Sequence, residues 1–130
     1  VLEHIENLSE YISTLNTMLS DFGRLIIAVP NFKSEDAKYY KEFWAALDVP
    51  RHLWHFSQQS IHHLFSMEQM LVEKTIPMKF DSYYVSLLSE KYKKGKINYM
   101  SAIYRGFVSN WKARSSSEYS SLIYVLKKQK

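Results

Sequence analysis

Two short stretches concentrate the side chains that can do chemistry. Glu3 and His4 are neighbours, and Arg51, His52 and His55 fall within five residues, interleaved with Trp54 and Phe56. A histidine with an ordinary pKa of about 6.5 can take a proton from a phenol, hydroxyl or amine near neutral pH. His4 is therefore a candidate general base; the alternative is a ring that caps the following helix or binds a backbone carbonyl. Glu3 can position an acceptor or contribute to a metal site, and it also suits a plain helix start, where acids meet the positive end of the dipole. Arg51 matches a carboxylate or phosphate on an acceptor. The competing reading is a structural loop in which Arg51 pairs with Asp48 and a histidine stacks on Trp54.

Other constellations carry less. His52-x-x-His55 with His62-His63 has the look of a zinc set, but the chain has no cysteine, and structural zinc normally takes four ligands with cysteine among them. Adjacent histidines on a helix point about 100° apart, so no metal is expected. Tyr39, Tyr40, Phe43 and Trp44 could form an aromatic lid able to stabilise a cation; at helical spacing, Tyr40 and Trp44 equally suit a core stripe. Gly23, Gly95 and Gly106 are the only glycines and make no Gly-x-Gly turn. No nucleophile elbow or phosphate loop is present, so hydrolase and kinase readings have no support.

These residues need a scaffold, and 130 residues with 46% apolar content suit one folded domain. That composition excludes a disordered tail and a disulfide scaffold. The longest apolar run, Leu25 to Val29, is far below the ~18 residues of a membrane-spanning helix. No signal sequence opens the chain and there are no thiols, so a cytoplasmic location is expected. Charge is uneven: residues 66–130 carry twelve Lys/Arg and five Asp/Glu, and residues 1–65 carry five and eight. A basic half favours anionic partners, although Lys91, Lys93, Lys94 and Lys96 around Gly95 read as solvated residues at a helix end.

Apolar spacing predicts a helix from Leu8, through Tyr11, Ile12, Leu15, Leu19 and Phe22, capped by Asn7 or Ser9 and ended by Gly23. Leu25–Val29 reads as a strand buried on both faces, with Val1-Leu2 as the tail of a preceding strand. Ser34 opens a helix with the stripe Ala37, Tyr40, Trp44 and Leu47. Ser57 caps a short helix through Phe65, Met70 to Ile76 is a strand, and Asp81 to Lys94 is a helix. Ile97 to Trp111 reads as an amphipathic helix that buries Met100, Tyr104, Phe107, Val108 and Trp111. Ser115 to Ser117 is a loop and Ser121 to Leu126 a final strand. The order is (β)-α-β-α-α-β-α-α-β.

Three pieces then carry a resemblance: Val1-Leu2-Glu3-His4-Ile5, Leu25-Ile26-Ile27-Ala28-Val29-Pro30-Asn31, and the run from Asp48-Val49-Pro50 through Arg51-His52-Leu53-Trp54-His55-Phe56-Ser57. Together they resemble the C-terminal half of a class I S-adenosylmethionine-dependent methyltransferase, similar to the small-molecule and ubiquinone-biosynthesis-like O-methyltransferases. The subgroup often has a glycine after the short helix, where this chain has Ser66-Met67-Glu68.

The resemblance implies an α/β fold: part of a Rossmann-like sheet of parallel strands followed by an antiparallel final pair, with helices on both faces. It makes residues 1–130 the C-terminal portion of a single domain whose N-terminal cofactor-binding half lies upstream. S-adenosylmethionine is the implied cofactor, with Leu2, Glu3 and His4 beside its methionine part and His4 catalytic. Asn31, Tyr40, Arg51, His52 and His55 are the implied substrate-binding residues, and the partner is a small-molecule acceptor. No nucleic acid is expected, and the exposed sheet edge could form a homodimer. Alone, the chain would lack activity. The alternative from another class is a stand-alone binding or oligomerisation module that meets an acidic partner through the basic helical region 81–114.

Overall fold

The computed structural model describes residues 1–129. Its elements are α1 (Leu8–Met18), β1 (Leu25–Pro30), α2 (Glu35–Tyr40), α3 (Gln58–Ser66), β2 (Met70–Pro77), α4 (Asp81–Lys94), α5 (Tyr99–Ser116) and β3 (Ser121–Lys128). Short 3-10 turns lie at Leu2–His4, Lys41–Phe43 and Ala45–Leu47. From α1 onward the order is the expected one. Val1-Leu2, expected to end a strand, instead leads into the first 3-10 turn, and Leu2 is buried in the core.

The strands form one sheet in the order β1-β3-β2, and β3 is antiparallel to both neighbours. β1 and β2 therefore run in the same direction without touching. The antiparallel final pair agrees with expectation, but no two neighbouring strands among the described residues are parallel. The rest of the expected parallel sheet is not seen. Nor is β1 buried on both faces. Leu25, Ile27 and Val29 lie opposite Leu126, Tyr124 and Leu122 on the core side. Ile26, 66% exposed, and Ala28 face away from it. An edge strand covered on one face alternates in this way even when every residue is apolar.

The main core joins Leu122, Tyr124 and Leu126 of β3 to Leu8 and Ile12 of α1 and to Ile61 and Phe65 of α3. Helix starts follow local chemistry. Asn7 Oδ1 accepts from Glu10 N, and Ser34 Oγ accepts from Ala37 N. Ser57 and Ser60 form a reciprocal capping box, each hydroxyl accepting the other's backbone N–H. α1 stops at Met18, short of Gly23, so Phe22 is 81% exposed instead of joining the stripe.

A second cluster gathers Ala37, Tyr40, Trp44 and Leu47 against Val85 and Leu88 of α4. The predicted stripe is therefore buried, although Lys41 at φ 51° breaks the helix into 3-10 turns. The expectation for α5 is inverted. Its buried residues are Ala102, Gly106, Ser109 and Ala113, while Met100, Tyr104, Phe107 and Trp111 are 56–81% exposed. α4 and α5 approach too closely for large side chains: Ser82 Oγ donates to Gly106 O at 3.2 Å. Ser115 and Ser116, expected in a loop, are the last turn of α5.

An ion cluster links the segment before β1 to the other two strands. The Arg24 guanidinium grips both Glu73 oxygens (2.5 and 3.1 Å), and Lys127 Nζ adds a third contact at 3.0 Å. Hydrogen bonds from Arg24 and then Lys127 hold the Glu73 carboxyl down to about 2, from an ordinary 4.5. A lowered folded-state pKa contributes stability above the unfolded value that is lost as pH falls through the folded one. The stability gap between wild type and Glu73→Gln is thus expected to be full above pH ~5 and to close between about 4.5 and 2. Urea midpoints across that range check it, and because these groups are exposed, added salt should shrink the gap.

Candidate functional site

The site is built where the loop after α2 folds back on the first 3-10 turn. Asp48, left-handed at φ 41°, ends the Ala45–Leu47 turn. Arg51 then closes on Asp48 Oδ1 through Nη2 (2.7 Å) and Nε (3.1 Å), as the structural reading of this loop expected. Glu3 O accepts from Leu53 N (2.7 Å), and Trp54 Nε1 donates to Ile5 O (2.7 Å). Phe32 N donates to Phe56 O. These bonds strap residues 48–56 both to the start of the chain and to the segment leaving β1.

Three rings are oriented by backbone carbonyls, which can only accept. His4 Nδ1 meets Arg51 O, and His52 Nδ1 meets Ala46 O, each at 2.8 Å. In the neutral rings Nδ1 therefore carries the proton and Nε2 the free lone pair. His55 is the reverse, donating through Nε2 to Leu47 O. The Nε2 atoms of His4 and His52 lie 3.9 and 3.8 Å from Glu3 Oε1, and Asp48 Oδ2 is 3.7 Å from His52 Nε2. Burial pushes the Glu3 carboxyl up. Its own backbone N–H and the nearby His52 act in the opposite direction.

One ligand atom each from Glu3, His4 and His52 lie within 4.8 Å of one another. Two imidazoles with backbone-anchored Nδ1–H groups and one carboxylate can hold a divalent cation. They can equally relay a proton between a bound acceptor and the buried carboxylate. Beside them is a narrow crevice lined by Glu3, Pro30, Phe32, His52, Trp54 and His55.

The structure thus gathers Glu3, His4, Arg51, His52 and His55 at the carboxyl end of β1. It spends the other nominated side chains elsewhere. Leu2 packs in the main core. Asn31, 1% exposed, donates to Glu118 Oε2 and Tyr119 O. The Tyr40 hydroxyl donates to buried Glu90 at 3.2 Å, and burial followed by that neighbouring charge pushes its pKa up. His62 and His63 are exposed on α3. The sequence reading missed Asp48 as a partner of His52 and missed the meeting of His52 with Glu3. Forty-nine residues separate that pair, and no local spacing signals the encounter.

A family model described as a methyltransferase domain matches residues 1–68, which hold the whole of this site. No curated protein matches the chain. The residues described do not by themselves fit the nucleoside of S-adenosylmethionine. Gly23 lies in the turn after α1, Gly95 ends α4 and Gly106 is packed inside the α4–α5 contact. None of them lets a backbone approach a ribose or adenine at the crevice.

Proposed function

This chain belongs to the methyltransferase domain family, and from that premise we propose that it forms one wall of a site for S-adenosylmethionine-dependent methyl transfer to a small or medium-sized acceptor. On this reading residues 1–130 are the C-terminal portion of one domain whose nucleoside-binding half lies upstream, and the chain alone is inactive. The observation that carries it is the convergence of Glu3-His4 and Arg51–His55 beside Pro30. In open α/β sheets ligands collect beyond the carboxyl ends of strands, where these residues stand. His4 Nε2 is the group that accepts the acceptor's proton, with its ring fixed by Arg51 O and the Glu3 carboxylate stabilising the resulting imidazolium. Arg51, held on Asp48 through Nε and Nη2, offers its exposed Nη1 to a carboxylate or phosphate on the acceptor. Methyl transfer from a sulfonium is a displacement in which the cofactor supplies the carbon, so the protein's share is alignment and exclusion of water. The free edge of β1 is where further strands, or a second copy, would pair.

Calorimetric titration of S-adenosylhomocysteine tests the reading, with the 130-residue chain and a form extended upstream run in parallel. Binding only to the extended form is the expected result. Binding to neither removes the cofactor, and tight binding to the short chain alone puts the nucleoside site in this half.

A further inference from the structure

The α4–α5 hairpin presents an outward face unlike the rest of the surface. Met100, Ile103, Tyr104, Phe107 and Trp111 form a continuous stripe along α5, each at least 55% exposed, and Phe80 at the start of α4 is 89% exposed. Met100, Tyr104, Phe107 and Trp111 are spaced at four, three and four residues, and the one cation between them in sequence, Arg105, lies 5.4 Å from the Tyr104 ring centre but closer, at 3.6 Å, to that of Tyr39. Single exposed apolar residues are ordinary, but a contiguous helical stripe is not.

Charge frames this stripe with one sign. Residues 78–116 contain eight Lys/Arg and two Asp/Glu. Both acids are engaged inside the fold: Glu90 is fully buried against Tyr40, Ser101 and Lys94, and Asp81 accepts from Ser121. Four of the cations are also committed. Lys94 pairs with Glu90, Lys112 pairs with Glu35, and Lys93 and Arg105 lie over the Tyr39 ring. The other four, Lys79, Lys91, Lys96 and Arg114, are exposed, and among the described residues no hydrogen bond or ion pair engages their side chains. Lys91 and Lys96 stand at the α4–α5 turn. Lys79 and Arg114 stand at the opposite end, on a cavity of about 260 Å³ walled by Phe80, Tyr83, Phe107 and Trp111.

We infer that this face docks the protein on an anionic lipid surface: the α5 stripe enters the headgroup–acyl boundary, and Lys79 and Arg114 receive lipid phosphates at the mouth of the cavity. Tyr and Trp with aliphatic neighbours at the centre and cations at the rim is the arrangement an interfacial helix uses. No helix of the described residues is long and apolar enough to cross a membrane, so the contact lies in the interface plane. A nucleic acid would call for free cations interleaved with the aromatics, whereas the four free ones stand at the two ends and Arg105, beside Tyr104, is committed to the Tyr39 ring. A second copy meeting this face about a two-fold axis would bring like-charged ends together.

Flotation with phosphatidylcholine vesicles, with and without 30 mol% phosphatidylglycerol (about a third anionic, enough for a strong surface potential), tests the inference. The expected result is binding to the anionic vesicles only, with Trp111 fluorescence quenched by lipids brominated near the headgroup. Lys79→Glu/Arg114→Glu and Ile103→Ser/Phe107→Ser should each weaken binding at least about tenfold while leaving the circular dichroism spectrum unchanged. Failure to bind either vesicle overturns the inference, as does equal binding to both. Tighter binding to a single-stranded oligonucleotide overturns it, and so does self-association that shields Trp111 from acrylamide in the absence of lipid.

Discussion

Asp36→Ala is expected to lower stability by about 3 kcal/mol, the cost of removing a buried charged acceptor from donors that then have no partner. Asp36 is 2% exposed, in the first turn of α2. Its Oδ2 accepts from Trp44 Nε1 (2.9 Å) and Ser120 Oγ (2.7 Å), and its Oδ1 accepts from Ser109 Oγ (2.6 Å). One carboxylate thus ties α2 to the 3-10 segment, to α5 and to the start of β3. Ser109 and Ser120 are at most 1% exposed, so water cannot replace the lost acceptor. The indole N–H has no other orientation to turn to, whereas a serine hydroxyl can rotate. Asp36→Asn sharpens the test. With its carbonyl in the Oδ2 position it still accepts from Trp44 and Ser120, and Ser109 can turn to accept from the new amide. That variant should cost about 1 kcal/mol, on the scale of one net hydrogen bond. Urea midpoints at constant m value measure both, and the asparagine variant carries the comparison should the alanine form fail to accumulate. Equal losses would show that charge, and not acceptor count, holds the junction.

That junction also marks the limit of sequence reading. The spacing of Ser34, Glu35 and Asp36 identifies a helix start, because a hydroxyl cap and acids in the first turn act within four residues. It does not say that Asp36 turns inward, since Ser109 and Ser120 arrive from 73 and 84 residues away. Elements with local causes were legible: the cap of α1, open between Asn7 and Ser9 and made by Asn7, the Ser34 and Ser57 caps, and the stop of α4 at Gly95, which is left-handed at φ 72°. Strand direction was not. Parallel order came with the resemblance, beside a reading of β1 as buried on both faces from its unbroken apolar run, but an edge strand with one face on the core tolerates the same residues.

The candidate site divides in the same way. Residue type nominated His4, Arg51, His52 and His55, and resemblance placed two separate motifs near the ends of strands. Their meeting depends on the turn at Asp48 and on the backbone bonds from Leu53 and Trp54 to Glu3. The histidine tautomers depend on carbonyls of Arg51, Ala46 and Leu47 that no motif encodes. Tyr40 was nominated on aromatic character. The structure shows instead why its hydroxyl is needed inside: it helps satisfy Glu90, whose second oxygen meets Lys94 at 2.9 Å. Burial pushes the Glu90 carboxyl up, and bonds from Ser101, Lys94 and Tyr40 outweigh it, so it stays below its ordinary value.

The inverted helix α5 yields the other large effect, and a paired comparison separates the two orientations. A methyl group built on Gly106 would lie 2.6 Å from Tyr83 Cδ1 and 3.0 Å from Tyr83 Cα. Alanine gains about 1 kcal/mol of helix propensity over glycine, but an unyielding backbone contact of this kind typically costs about 1–3 kcal/mol. Gly106→Ala should therefore destabilise, and Gly106→Val, larger and poorer in a helix, should lose about 3 kcal/mol or more. Phe107→Ala, one residue on, should change stability by no more than about 0.5 kcal/mol, because the ring is 56% exposed. Periodicity alone predicts the opposite ranking: a core Phe→Ala costs about 3–5 kcal/mol, while an exposed helical Gly→Ala is stabilising. Thermal or urea unfolding of the three variants decides between the orientations. If Phe107→Ala proved the costly change, the large face of α5 would be packed in solution and unable to meet lipid. The expected ranking leaves the stripe free at almost no cost in stability, as a surface kept for contact with something outside the fold requires.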